Sequence, residues 1–253
     1  MEQIDVKLQQ GVRKARPKLT VAMATSTGDI LEAQRLRYRI FAGEMGAKLP
    51  TRIPEVDQDL YDPWCEHLVV RDDCSGEIVG TYRILSPVNA RRIGYYSENE
   101  FDLTRLQHLR PSLVEIGRSC VHPDYRSGAT ITLLWAGLAR YMKENGYDYL
   151  MGCASISMAD GGHAAASLYR RLIDHLGPIE YRVFPRCPLP LESLRQDDAA
   201  ETPPLIKGYL RAGAWICGEP AWDPDFNTAD LPILMPMNRV EDRYARHFMG
   251  NKS

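Results

Sequence analysis

The apolar residues fall into short runs that switch between two spacings, and the switches lay out the elements. Leu19 to Thr25 alternates as a half-buried strand does. Ala33, Leu36, Ile40 and Phe41 then recur at helical spacing, which predicts a helix from Asp29 to about Gly43, with Asp29 and Glu32 as its acidic start. Glu66 to Arg71 and Glu77 to Leu85 predict two strands, joined by the turn Asp72-Asp73-Cys74-Ser75-Gly76. Ser112 to Val121 predicts a further strand. Ile131, Leu134, Trp135, Leu138 and Met142 line one face of a helix capped by Ser127 or Thr130 and ended near Gly146. Tyr149 to Ile156 reads as a buried strand, Ala164 to Leu176 as a helix stopped by Gly177, and Ile179 to Phe184 as a strand.

Antiparallel strands come first and strand–helix–strand units follow, which predicts an α/β (α+β) domain with helices packed on a mixed, twisted sheet. After Pro185 the chain changes character. Pro188, Pro190, Pro203 and Pro204 frame a polar linker holding Gln196, Asp197 and Asp198. A helix (Leu205 to Ala212), strands (Ala214 to Cys217 and Leu231 to Met235) and a terminal helix (Val240 to Met249) are expected beyond it. Residues 186–253 are therefore read as an extension of one domain spanning 19–253, preceded by a basic leader, 1–18, with Lys7, Arg13, Lys14, Arg16 and Lys18.

Composition narrows the class. Apolar residues make up 44% of the 253, enough to exclude disorder as the dominant state. Lys+Arg is 31 against Asp+Glu 33, a balance that argues against nucleic acid as partner. No apolar run approaches the ~18 residues that span a bilayer, and the first 18 residues lack an apolar signal core. A cytoplasmic protein is expected, whose leader can rest on the anionic cytoplasmic face of the inner membrane. Cys65, Cys74, Cys120, Cys153, Cys187 and Cys217 form no CxxC pair, so reduced thiols and no metal site are expected.

The chemistry concentrates in the strand Leu113 to Val121. Glu115 and Arg118 are costly to bury in an apolar strand unless they are paired or used. Alternation would place them on opposite faces, and a bulge at the intervening Gly117 would turn both toward one cleft. A surface ion pair on an edge strand is the plainer alternative. The following turn, Val121 to Thr130, leads into a helix whose free N–H groups suit a phosphate. Two further patterns fail. His67 and Asp72 are five steps apart on a strand and so face opposite ways. A calcium loop starting at Asp223 would need Gly at 228 and Glu at 234, where Thr228 and Leu234 stand.

The element order and the turn Arg126-Ser127-Gly128-Ala129-Thr130-Ile131 resemble the Gcn5-related N-acetyltransferase (GNAT) fold. Leu36-Arg37-Tyr38-Arg39-Ile40-Phe41, the acidic cluster Glu55 to Asp62, Gly80 to Leu85 and Glu115-Ile116-Gly117-Arg118 occur in the order of the acyl-homoserine-lactone synthases, with Asp57 and Asp62 further apart than there. Cys65-Glu66-His67-Leu68, Pro204 to Arg211 and Gly218 to Phe226 resemble the bacterial L-ornithine Nα-acyltransferases across roughly residues 20–250.

The resemblance implies a three-layer GNAT-like domain that moves a (3-hydroxy)acyl chain from acyl carrier protein to the α-amine of L-ornithine. It implies no tightly bound cofactor, the acyl-carrier phosphopantetheine thioester being a co-substrate. Carried over, it makes Glu115 and Arg118 catalytic. Arg37, Glu55, Asp57, Asp62 and Arg83 bind substrate, Asp57 or Asp62 serving the δ-ammonium. Val121, Arg126, Ser127, Gly128 and Ala129 hold the phosphopantetheine. The turn lacks the regular glycine spacing of a pyrophosphate cradle, and a carrier-bound pantetheine needs a smaller one. A lactone synthase, an N-acyltransferase for another amino acid and a non-catalytic carrier- or lipid-binding module are the alternatives.

Overall fold

The computed structural model describes residues 18–195 and 201–240. Its strands are β1 (Leu19–Met23), β2 (Glu66–Asp72), β3 (Ile78–Leu85), β4 (Phe101–Asp102), β5 (Leu113–Val121), β6 (Tyr149–Ser157), β7 (Phe184–Pro185), β8 (Trp215–Ile216), β9 (Ala221–Asp223) and β10 (Thr228–Pro236). The α-helices are α1 (Thr27–Tyr38), α2 (Pro87–Ile93), α3 (Ala129–Asn145), α4 (His163–Arg171) and α5 (Pro204–Arg211). The main sheet runs β1-β2-β3-β5-β6-β10-β8, with β9 against β10; β4 and β7 form a separate ribbon. Pairing is antiparallel except between β5 and β6.

Three layers follow from alternation along β2. Leu68 and Val70 pack with Leu134 and Leu138 of α3, while the intervening Val69 packs with Ala33 and Leu36 of α1. The two helices thus cover opposite faces. At Gly137 of α3 an added Cβ would lie 2.9 Å from both Leu68 Cδ1 and Val21 Cγ2, so the missing side chain lets the helix seat closely on β1 and β2. Strand β10, from the segment after Pro185, pairs along the whole of β6, from Thr228↔Ser157 to Pro236↔Tyr149.

Several expected boundaries change. Ser26, not Asp29, caps α1, its Oγ accepting from the Asp29 N–H; Asp29 and Glu32 instead bind Arg71 of β2. The helix passes at Arg39 into a π-helical stretch ending at Glu44. Neither Ser127 nor Thr130 caps α3. Gly128 holds the cap position at φ 98°, and the Thr130 hydroxyl donates to the Tyr125 carbonyl. The helix expected to Leu176 is α only to Arg171, with a 3₁₀ turn at Ile173–His175. Ile179 to Phe184 is no strand of the main sheet: Ile179–Tyr181 is a 3₁₀ turn, only Phe184 joins the β4–β7 ribbon, and β10 occupies the free side of β6. Segment 86–112, given no elements by periodicity, holds α2 and 3₁₀ turns at Tyr96–Asn99 and Thr104–Ser112. The leader 1–17, residues 196–200 of the linker and the terminal helix beyond 240 lie outside the described residues. Among the described residues no helix is long and apolar enough to cross a membrane.

One feature of the sheet prepares a site. Strands β5 and β6 pair only from Leu113↔Tyr149 to Glu115↔Met151. Beyond that point β6 keeps its register with β10 and β5 keeps to β3, so the parallel pair opens into a wedge.

Candidate active site in the wedge between two parallel strands

Two devices aim side chains into the wedge. The first is a bulge. Arg83 of β3 pairs with Gly117 and Thr81 with Cys120, so Arg118 and Ser119 of β5 together face Tyr82. Arg118 takes φ 49°, a left-handed value that is uncommon for a residue with a side chain. The bulge therefore forms between Gly117 and Cys120 and lets Glu115 and Arg118 line the same cavity. The second device is the turn Tyr96–Asn99, which lies over that cavity. Its Tyr96 N–H donates to Glu115 Oε2 at 2.7 Å, its Ser97 N–H to Oε1 at 2.7 Å, and its Ser97 hydroxyl to Oε1 at 2.5 Å.

Glu115 is 5% exposed on an interior strand, so the edge-strand ion pair does not form. Burial raises its carboxyl above the ordinary value, and the Ser97 and Tyr96 hydrogen bonds offset only part of that. The cavity holds about 230 Å³ and is also lined by Tyr61, Tyr82, Arg83, Cys153, Tyr209 and Phe226.

Arg118 faces the acidic segment rather than Glu115. Its Nε lies 3.3 Å from Asp57 Oδ2 and its Nη2 3.2 Å from Asp59 Oδ2, with the Tyr96 and Phe226 rings beneath the guanidinium. Arg37, fully buried, donates from Nε to Asp57 Oδ2 and from Nη1 to Asp62 Oδ1, both at 2.7 Å. Arg83 donates to Asp59 Oδ2 at 2.6 Å and Asp62 Oδ2 at 3.2 Å. Burial alone would push Asp62 up, but the hydrogen bond and charge of Arg37, with Arg83, hold it far below the usual carboxylate range. Three guanidinium groups thus meet three carboxylates in one closed network. Asp59, part of the acidic cluster but not among the residues carried over by resemblance, is a full member. Glu55 is not: it is exposed, at φ 59°.

The remaining expected positions lie at the start of α3. Arg126 is exposed, donating to the Val121 carbonyl at 3.1 Å and to Glu44 at 2.7 Å. Ser127, Gly128 and Ala129 form the turn, and no side chain caps the helix there. His67 faces Asp62, its Nε2 3.7 Å away, whereas Asp72 accepts from the Tyr125 hydroxyl at 2.6 Å, so the two form no dyad. Cys120 is buried, its thiol pushed up to about 12 by that burial, which makes it a poor nucleophile.

A second acidic group was not anticipated. Glu100, Asp223 and Asp230 each offer an oxygen, all within 4.8 Å of one another, and all three line the cavity. Periodicity gave no reason to bring Glu100 here. Asp230 did carry a signal, a carboxylate inside a buried strand, the same signal that singled out Glu115.

A family model for the acetyltransferase (GNAT) domain matches residues 36–136. The chain is 36% identical over 250 residues to the L-ornithine N(alpha)-acyltransferase of Brucella abortus (strain 2308), covering 91% of this chain and 88% of that protein. It is 35% identical over 243 residues to the enzyme of that name from Rhodobacter capsulatus, covering 90% and 93%. Among solved structures, a CoA-dependent acyl-homoserine lactone synthase, BjaI, superposes with a TM-score of 0.55 at 14% identity, over 90% of each chain. FeeM, an N-acyl amino acid synthase from uncultured soil microbes, gives 0.51 at 12% identity, over 88% and 92%.

Proposed function

Because the chain belongs to the L-ornithine N(alpha)-acyltransferase family, we propose that it transfers an acyl chain from a carrier-bound thioester to the α-amine of L-ornithine. The observation that carries the reading is Glu115, a carboxylate of raised proton affinity facing the β5–β6 wedge. An ammonium is no nucleophile, and amines titrate well above neutrality, so a base is required. Glu115, directly or through one water, removes a proton from the α-ammonium. The amine attacks the thioester carbonyl, a C–N bond forms, the C–S bond breaks, the leaving thiolate takes up the proton held by Glu115, and the carboxylate so restored accepts the second proton from the new amide nitrogen and releases it to solvent. Backbone N–H groups of the bulged strand polarise the carbonyl. Arg118, ring-stacked and paired with Asp57 and Asp59, fixes the bulge beside the reacting carbon.

The donor enters past the α3 turn, where Val121, Arg126, Ser127, Gly128 and Ala129 meet the phosphopantetheine. The uncapped start of a helix favours a phosphodiester, and the turn's irregular glycine spacing favours acyl carrier protein over coenzyme A. A second, largely apolar cavity lined by Trp135, Leu138, Met142 and Met235 has Leu150 and Tyr209 as walls in common with the first and suits an acyl tail. An acidic carrier needs a basic landing surface, and Arg91 and Arg92 are exposed at the end of α2; Arg110 is already paired with Glu98. The product is an amphiphile, and the basic leader assists its transfer to an anionic membrane surface.

The test is direct. Purified protein, 3-hydroxyacyl-carrier protein and L-ornithine should give N-acylornithine by mass spectrometry, with fragments that place the amide on the α-nitrogen. The matching coenzyme A thioester should react far more slowly. Absence of product with both donors contradicts the reading, and equal rates contradict the carrier preference.

A further inference from the structure

Three carboxylates that line the cavity lie together. Among the described residues, Glu100, Asp223 and Asp230 enter no ion pair, although their oxygens lie within 4.8 Å of one another. Asp230 is 4% exposed and its Oδ1 has no hydrogen-bond partner; Glu100 Oε2 is likewise buried and unpartnered. Asp223 spends only Oδ1, which accepts from the Asp225 and Phe226 N–H groups. Buried carboxylate oxygens crowded together are unfavourable unless a proton or a cation answers them.

The sequence offered Asp57 or Asp62 for the acceptor's δ-ammonium. Arg37, Arg83 and Arg118 already neutralise that cluster, so it has no charge left to give. We propose that Glu100, Asp223 and Asp230 form the seat of the acceptor's side-chain ammonium, and that this seat selects a diamino acid over a neutral one. The proposal rests on the acyl-transfer reading above. Ammonium fits better than a metal ion. It carries three N–H donors for three oxygens, whereas calcium or magnesium takes six or more oxygen ligands. Burial and the charge of Asp230 raise Glu100 well above its usual value, a shift that a cation seated beside it would oppose.

The seat lies beside the base. The Ser97 hydroxyl that donates to Glu115 sits 3.4 Å from Cys153 Sγ. The Cys153 thiol is in turn raised by burial and by the charges of Glu100 and Asp230. One cavity therefore offers two acidic stations, a single carboxylate for the nitrogen that reacts and three for the nitrogen that does not.

The experiment uses the full chain with saturating acyl-carrier thioester, comparing L-ornithine with L-norvaline, which lacks the δ-amine. KM for ornithine should rise about ten- to a hundredfold in Asp230→Asn and Glu100→Gln, with the donor KM unchanged and the preference over norvaline largely lost. Circular dichroism and a thermal melt verify that the variants fold. An unchanged ornithine KM in a folded variant overturns the proposal. So does a stoichiometric divalent metal in the wild type, by elemental analysis, that Asp230→Asn loses. Calorimetry of ornithine without donor isolates the seat: binding weakened by Asp230→Asn, with no turnover in the wild type, upholds the seat and counts against the acyl-transfer reading alone.

Discussion

Two acidic triads lie close to the same cavity and differ in one respect. Asp57, Asp59 and Asp62 meet Arg37, Arg83 and Arg118 in a network that leaves little carboxylate capacity unused. Glu100, Asp223 and Asp230 meet no arginine, lysine or histidine among the described residues. A buried charge network whose members are all partnered organises the fold around it, here pinning segment 57–62 to α1, β3 and β5. A carboxylate set with no cation among the described residues gains no such ion-pair energy and keeps its charge for a ligand. Both triads are acidic and each is at least half-buried; partnership with arginine separates architecture from recognition.

That contrast is breakable, starting with stability. Arg37→Met leaves Asp57 and Asp62 without their main partner, and removing one member of a buried pair costs about 3–5 kcal/mol. Urea denaturation should show that loss, whereas Asp230→Asn should be neutral or stabilising. Equal losses would erase the distinction.

Next is the base. Glu115→Gln keeps the shape, and its one oxygen can still accept from the Ser97 N–H, yet kcat near neutral pH should fall by at least about 10²-fold. The defect should shrink as pH rises and free amine forms without help. In the wild type the acid limb of the rate profile should lie above the ordinary carboxylate range, because the Glu115 value is raised. A defect that does not fade, with a large melting shift, would make Glu115 only the anchor of the 96–99 turn.

Acid titration gives a smaller but opposed pair of effects. Asp62 is depressed in the fold, so its contribution is complete above its unfolded value near pH 4 and is lost as pH falls toward the folded one. Glu100 is raised, so its contribution is favourable in acid and declines as pH climbs through the folded value. Glu100→Gln should therefore flatten the loss of stability as pH rises above the ordinary carboxylate range, and Asp62→Asn should not.

The least change is expected at Cys120. Its thiol is raised to about 12 and direct transfer needs no acyl-enzyme, so Cys120→Ala should keep most activity. A thioester adduct on Cys120, seen by mass spectrometry, would replace the direct mechanism.

Much of this was legible in the chain. Glu115 and Arg118 stood out because charge inside an apolar strand needs a reason, and Gly117 marked where a bulge would turn both toward one cleft. Arg37, Arg83 and the Asp57-to-Asp62 segment were legible by resemblance, but their mutual saturation was not, since it depends on how a loop folds back over three elements. The arginine-free triad was missed for two physical reasons. Glu100 follows a 3₁₀ turn that has no long-range periodicity. Asp223 and Asp230 were weighed only as a continuous calcium loop, whereas the fold joins them across the β9–β10 pair. Ile179 to Phe184 misled because its spacing suits a strand and nothing local reveals that β10 will take its place beside β6.

The central claim is that the free carboxylates, not the arginine-bound ones, receive the acceptor, and a crystal structure with L-ornithine bound tests it most directly. The side-chain nitrogen is expected about 3 Å from oxygens of Glu100, Asp223 and Asp230, with the α-nitrogen directed at Glu115. A side-chain nitrogen lodged against Asp57, Asp59 or Asp62, with an arginine displaced to admit it, would contradict the account.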